Sequence, residues 1–239
     1  MTATAQLTWP ECRNVRDLGG LPTIAGGAIR PGALIRSDNL DRLTPVGIAA
    51  VRAAGVSRIV DVRTAWECEH FPSPFRDDPI WRNTPLSDPD DAGDPDLDMV
   101  VQYTSQLDRY PRRIAAAVGE IAKSPPGAVV VACHAGKDRT GVIVALVLSL
   151  AGVAPDVIAA DYATVGDSTM DIRTVIGVTA ADPLLPELEP PVAATMLAML
   201  DHLSTRYGGT AEYLAAGGLT PSQATALITR ITKHDRDER

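Results

Sequence analysis

The chain has 239 residues, 45% of them hydrophobic and 22% charged, and a formal net charge of −8. That length supports one domain with a large buried core, at most with a helical appendage, and the composition is ordinary for a globular protein. The acidic balance excludes a nucleic-acid surface, which needs a basic face, but leaves room for one small basic pocket and an anionic small substrate.

The first segment is rich in turns. Gly26-Gly27 lies between LPTI and AIRPGALIRS and predicts a hairpin. A helix follows with clear punctuation: Thr44 suits the N-cap, Pro45 the first helical position and Gly55 the end. SRIVDVR then reads as a short strand, and 72–96, with many prolines and aspartates, as mostly loop. The stretch 97–123 predicts helix broken at Pro111, AVVVA a second strand, and 139–151 an apolar helix. Further helices are predicted at 155–162, 192–207, 211–216 and 220–233, with 166–191 unassigned and a candidate lid. Alternating strands and helices imply an α/β architecture with a mostly parallel central sheet flanked by helices and a helical C-terminal part. AVVVA is apolar at every position, as a strand buried on both faces should be.

Cys12, Cys68 and Cys133 are an odd, scattered set that reads as reduced thiols, without the paired spacing of a zinc site. The acidic run SDPDDAGDPDLD fails as a calcium loop: aligned from Asp88, position 5 is Ala92 and position 12 is Met99. No metal and no cofactor are expected. VIVALVLSLAGVA is too short to span a bilayer, so no stable membrane insertion is expected either. MTATAQLTWPECRN has no basic start followed by an apolar run, so no signal peptide is expected and the cytoplasm is the expected location.

The loop CHAGKDR joins AVVVA to the apolar helix. The helix aims its N-terminal amides back at the loop, which makes an anion site from N–H groups and helix dipole and favours a thiolate at Cys133. Gly136 lets the backbone curl so that amides converge, and Arg139 offers a planar fork for two phosphate oxygens. Thr140 can set a hydroxyl near the sulfur. A nucleotide-binding P-loop fails here: no glycine precedes Gly136-Lys137 at the required spacing, and Asp138 replaces the magnesium-binding Ser or Thr.

CHAGKDRTG resembles the active-site loop of cysteine-dependent phosphatases, in particular the bacterial tyrosine-phosphatase-like family. RNVRDLGG at 13–20, LIRSDNLDRLT at 34–44 and IVDVRTAWE at 59–67 resemble that family's segments in the same order. Many relatives carry histidine before the cysteine, where this chain has Ala132. The resemblance implies one phosphatase domain over 1–239 that hydrolyses phosphate monoesters through a phosphocysteine intermediate. Cys133 would be the nucleophile. Arg139 and the loop amides, with His134, Ala135, Gly136, Lys137 and Thr140, would bind the phosphoryl group.

Two aspartates compete as general acid. Asp138 is the first candidate, as in myotubularin-type lipid phosphatases, with helix capping as its alternative role. Asp61 is the second, because the carboxyl ends of SRIVDVR and AVVVA face one crevice that Arg63 could also reach, with a salt bridge as the alternative. Lys137 and His134 add positive character to the loop, which points toward phosphoinositides beside phosphorylated proteins, unless they face solvent. Asn14, Arg16 and Asp17 read first as structural, and Arg36, Ser37 and Asn39 as rim residues. Some relatives leave the cell without a signal, so signal-less export stays open. The alternatives in other classes are a sulfurtransferase-like enzyme and a non-catalytic binder of phosphorylated ligands. Oligomeric state is not legible in the sequence.

Overall fold

The structure, a computed structural model, describes residues 4–12, 14–88, 97–164 and 192–233. Eight strands are described: β1 (Ala5–Gln6), β2 (Arg16–Asp17), β3 (Ala28–Ile29), β4 (Leu34–Ser37), β5 (Val56–Asp61), β6 (Trp81–Asn83), β7 (Ala128–Ala132) and β8 (Thr232–Lys233). The helices are α1 (Pro45–Ala53), α2 (Ala65–His70), α3 (Met99–Arg109), α4 (Pro111–Ala122), α5 (Asp138–Leu150), α6 (Pro155–Ala163), α7 (Ala193–Tyr207), α8 (Thr210–Ala216) and α9 (Pro221–Ile231).

Six strands form one sheet in the order β1-β2-β4-β7-β5-β6. The strands around β7 run parallel, and the β1–β2 and β2–β4 pairings are antiparallel. β7, the AVVVA strand, is central and buried at every residue. Its alternation divides the interior. Ala128, Val130 and Ala132 join a core with Trp9, Ile35, Val51, Ile59 and Phe75. Val129 and Val131 join the larger core, to which α4 and α5 contribute heavily, and Cys133 continues that face. The period of two thus places the cysteine under the helical layer before any loop geometry is considered.

α5 is buried from Thr140 to Leu148, and a helix that is apolar all round belongs inside a molecule. α4, α6, α8 and α9 pack around it. Thr44 caps α1 by accepting from the Gly47 N–H. Pro111 separates α3 from α4 by opening the second helix at its first position, where its missing N–H is harmless.

Some elements differ from expectation. The predicted hairpin at Gly26 forms, with φ +84° and hydrogen bonds from the Thr23 N–H to the Gly27 carbonyl, the Ile29 N–H to the Leu21 carbonyl and the Gly20 N–H to the Ile29 carbonyl, but its second strand, β3, also pairs with β8. The predicted last helix therefore gives up its final two residues to a strand. β6 lies within a stretch expected to be loop, where it extends the sheet beside β5. The candidate lid at 166–191 lies outside the described residues. Among those residues, no helix is long and apolar enough to cross a membrane.

Candidate active site

Registers bring three strand ends level: Ser37 of β4 and Asp61 of β5 both stand beside Ala132 of β7. The loop 133–137 leaves β7 at that edge. Gly136 has φ +68°, and a Cβ there would come within 2.6 Å of the Asp38 amide nitrogen. Only glycine satisfies both the left-handed backbone and the close approach to β4.

The loop's carbonyls are tied from outside. The Asn39 N–H donates to the His134 carbonyl at 2.9 Å. Asn14 Nδ2 donates to the Ala135 carbonyl at 3.0 Å, and Arg36 Nη2 to the Gly136 carbonyl at 2.9 Å. A trans peptide sets C=O and the next N–H in opposite directions. Outward carbonyls at 134, 135 and 136 therefore turn the amides of Ala135, Gly136 and Lys137 the other way. α5 begins with no side-chain cap, so its first-turn amides also lack that partner. Together these donors form a concave anion nest at a helix N-terminus.

The ties are themselves braced. Asn14 N–H donates to Asp38 Oδ1 at 3.1 Å. Arg36, fully buried, pairs with Asp161 Oδ2 of α6 at 2.7 Å, and Arg16 donates to the Asp161 carbonyl at 3.1 Å. Asn14 and Arg36, read as turn and rim residues in the sequence, are thus loop supports. Asp17 keeps its turn role, accepting from the Gly19 and Gly32 amides.

Cys133 and Thr140 are buried, and the Thr140 hydroxyl has no hydrogen-bond partner among the described residues. Arg139 meets Glu67 of α2 in a two-point pair: Nη1 to Oε2 at 2.5 Å and Nη2 to Oε1 at 2.7 Å. Glu67 is held in turn by a capping box with Thr64. Burial alone would raise the Glu67 pKa, but the Arg139 and Thr64 hydrogen bonds bring it down to about 2. Burial disfavours the Arg139 charge, yet Glu67 and the neighbouring Cys133 hold its pKa above the ordinary value. The pair uses the terminal nitrogens of the guanidinium, so Nε remains for an anion.

Asp138 opens α5 but caps nothing; its Oδ1 accepts from the Tyr103 hydroxyl at 2.5 Å and lies 3.8 Å from Lys137 Nζ. The Asp138 side chain is 38% exposed, so it reaches solvent. Asp61 is 4% exposed and closed on Arg63, which donates from Nε at 2.9 Å and from Nη2 at 2.7 Å. Trp81 Nε1 also reaches Asp61, and Arg63 Nη1 donates to the Phe71 carbonyl. His134 is buried against the Phe71 ring, not in solvent, and burial pushes its pKa down. It adds no positive charge to the loop at neutral pH.

The structure therefore holds Cys133, His134, Ala135, Gly136, Lys137, Asp138, Arg139 and Thr140 in one loop and helix start, with Cys133, His134 and Thr140 buried and Asp138 partly exposed, and leaves Asp61 and Arg63 as a neighbouring closed pair. Sequence reasoning missed Glu67, Tyr103 and Asp161 as site residues. For Glu67 a signal existed, the Thr-x-x-Glu capping box. For Tyr103 and Asp161 no local signal exists, because Tyr103 meets Asp138, and Asp161 meets the Arg36 that holds the loop, only through tertiary packing.

Comparison with known proteins agrees with this geometry. The sequence model of the tyrosine phosphatase family matches residues 7–233. The chain is 32% identical to the triple specificity protein phosphatase PtpB of Mycobacterium tuberculosis, over 88% of this chain and 87% of that protein. It is 29% identical to a tyrosine-protein phosphatase of Nostoc commune, over 88% of this chain and 78% of that one. It is also 29% identical to a putative tyrosine-protein phosphatase of Cupriavidus necator, over 65% of this chain and 61% of that one.

Proposed function

We propose a phosphocysteine mechanism for this chain, which belongs to the tyrosine phosphatase family and is a phosphoric monoester hydrolase of the protein-tyrosine and dual-specificity kind. The supporting observation is the tying of the loop carbonyls from outside, which turns the amides after buried Cys133 inward, together with Arg139, whose charge interacts with that of Cys133. Residues 1–239 act as one phosphatase domain.

The Cys133 thiolate attacks phosphorus; the S–P bond forms as the bond to the leaving oxygen breaks. Loop amides and Arg139 hold the equatorial oxygens in a preset, low-dielectric nest. Asp138 passes its proton to the leaving oxygen, then takes one from the water that cleaves the S–P bond. Its partial exposure supports this assignment over Asp61, whose two oxygens are occupied by Arg63. Asp61 and Arg63 serve to fix the end of β5.

The substrates are phosphorylated proteins, with phosphotyrosine foremost and phosphoserine and phosphothreonine beside it. Phosphoinositides are a second reading, supported by Lys137 Nζ near Asp138. His134, neutral when buried, does not strengthen it. An arsenate-reducing role would draw on partner thiols, and burial pushes the Cys68 thiol up to about 12 and raises that of Cys12 as well; a persulfide assay separates sulfur transfer.

The test is phosphate release from 4-nitrophenyl phosphate in reducing buffer with chelator, for wild type, Cys133→Ser and Asp138→Asn, with phosphotyrosine peptide and phosphoinositide arms. Activity in wild type and none in Cys133→Ser is the expected result. Turnover retained by Cys133→Ser would overturn the mechanism, and faster turnover of phosphoinositide than of peptide would reverse the order of substrates.

A further inference from the structure

We propose that Tyr103 is a positioning residue for proton delivery: its hydroxyl fixes which oxygen of Asp138 carries the proton. The inference rests on the reading of Asp138 as general acid.

Tyr103 stands on α3 and is buried, with its hydroxyl 2.5 Å from Asp138 Oδ1 and 2.7 Å from the hydroxyl of Tyr162 on α6. The two rings meet edge to face, 6.2 Å between centroids. Proton counting orients the chain. An ionised carboxylate only accepts, and a tyrosine hydroxyl has one proton. Tyr103 therefore donates to Asp138 Oδ1, and Tyr162 donates to Tyr103. Burial, then the Asp138 charge, raises the Tyr103 pKa far above its ordinary value, and the same causes push Tyr162 up to about 12. Both hydroxyls stay protonated across the working range and the chain keeps its direction.

When Asp138 gains a proton, the two oxygens are not equivalent. A proton on Oδ1 would displace the Tyr103 donor and reverse the chain. Tyr162 would then accept from Tyr103 and need a new acceptor for its own proton, and none is found among the described residues. Leaving a buried hydroxyl proton unpaired is costly. Lys137 Nζ also approaches Oδ1. The proton accordingly sits on Oδ2, the oxygen left for the leaving group. In the first step it moves from Oδ2 to the leaving oxygen as S–P forms and P–O breaks. In the second step Oδ2 accepts a proton from the attacking water. Tyr103 gives up no proton in either step; without its hydroxyl, the Asp138 carboxyl rotates and its proton divides between two oxygens.

The experiment compares kcat/KM for 4-nitrophenyl phosphate, whose leaving group needs little protonation, with phenyl phosphate, whose leaving group needs much. Tyr103→Phe keeps the ring and removes the hydroxyl. Its loss should be about tenfold greater on phenyl phosphate than on 4-nitrophenyl phosphate, the size expected for losing a hydrogen bond to a charged group. Inhibition by inorganic phosphate should be unchanged, which shows an intact anion loop. Asp138→Asn should give the same selectivity, larger, and adding Tyr103→Phe to it should change nothing further. Selective loss in Asp138→Asn with none in Tyr103→Phe would overturn the positioning role and leave the acid standing. No selective loss in Asp138→Asn would remove the acid, and this proposal with it. An equal loss on both substrates with weakened phosphate inhibition would reduce Tyr103 to a packing residue.

Discussion

Two arginine–carboxylate pairs stand near the loop, Asp61–Arg63 at the end of β5 and Glu67–Arg139 joining α2 to α5, and they differ in what they leave open. Arg63 spends its guanidinium on Asp61 and the Phe71 carbonyl, and both partners are almost wholly buried. Arg139 spends only its terminal nitrogens on Glu67, and the pair keeps side-chain exposures of 25% and 15%. The first is a closed brace. The second is an oriented donor with capacity in reserve. In both cases a carboxylate fixes a guanidinium, and the donors left over decide whether the arginine can receive a ligand.

The largest effect should come from breaking the closed pair. Asp61→Ala strands a buried guanidinium, and stability measured by denaturant should fall by about 3–5 kcal/mol. The folded fraction should keep the wild-type preference between good and poor leaving groups; a selective loss on phenyl phosphate would return Asp61 to the chemistry. Next, Arg139→Lys replaces a fork by a point charge. A loss of about 10²–10³ in kcat/KM is expected, comparable to removing a donor from an oxyanion site. A loss below tenfold would place the phosphoryl contacts in the amides alone.

Smaller effects sharpen the contrast. Glu67→Gln should lower kcat/KM about tenfold, the cost of one weakened charge-assisted hydrogen bond. It should also change acid behaviour. The Glu67 pKa is held down from 4.5 to about 2, so its contribution to stability is present above pH 4.5 and lost as pH falls toward about 2. Wild type should lose that increment across this window while Glu67→Gln does not, so the stability gap between them should narrow with acid. A constant gap would contradict the pair's role. The smallest effect is Thr64→Ala, which removes the cap that steadies Glu67 and should cost about 1 kcal/mol in thermal unfolding.

These pairs also mark where sequence reading succeeds and stops. The loop was legible because its parts are local: an apolar strand, Cys-x5-Arg around a glycine, and an apolar helix follow one another without interruption. α1 was legible through its cap and its proline, and α3 and α4 through Pro111. The two-residue strands β1, β2, β3 and β8 are too short to show a period, and β6 is a three-residue strand in a stretch of turn residues. Glu67 meets Arg139 across 72 positions and Tyr103 meets Asp138 across 35. Such meetings follow from tertiary packing, α3 for instance lying against α4 and α7, which no local pattern encodes. Asp61 was legible as a residue but its role was not, because the same strand-end position suits an acid or a brace until its partner is seen.

The brace formed by Asp161 carries a consequence for the chain during its own synthesis. Arg36, which holds the Gly136 carbonyl, leaves the ribosome 125 residues ahead of Asp161. Cys133 and Arg139 are also made before it. A growing chain can therefore already contain Cys133, the proposed nucleophile, and Arg139 while Asp161, which braces Arg36, is still untranslated. With Arg36 unanchored, the carbonyl is not pinned and the amides do not converge. Under the proposed mechanism, the newborn protein gains its activity only once α6 has emerged and docked.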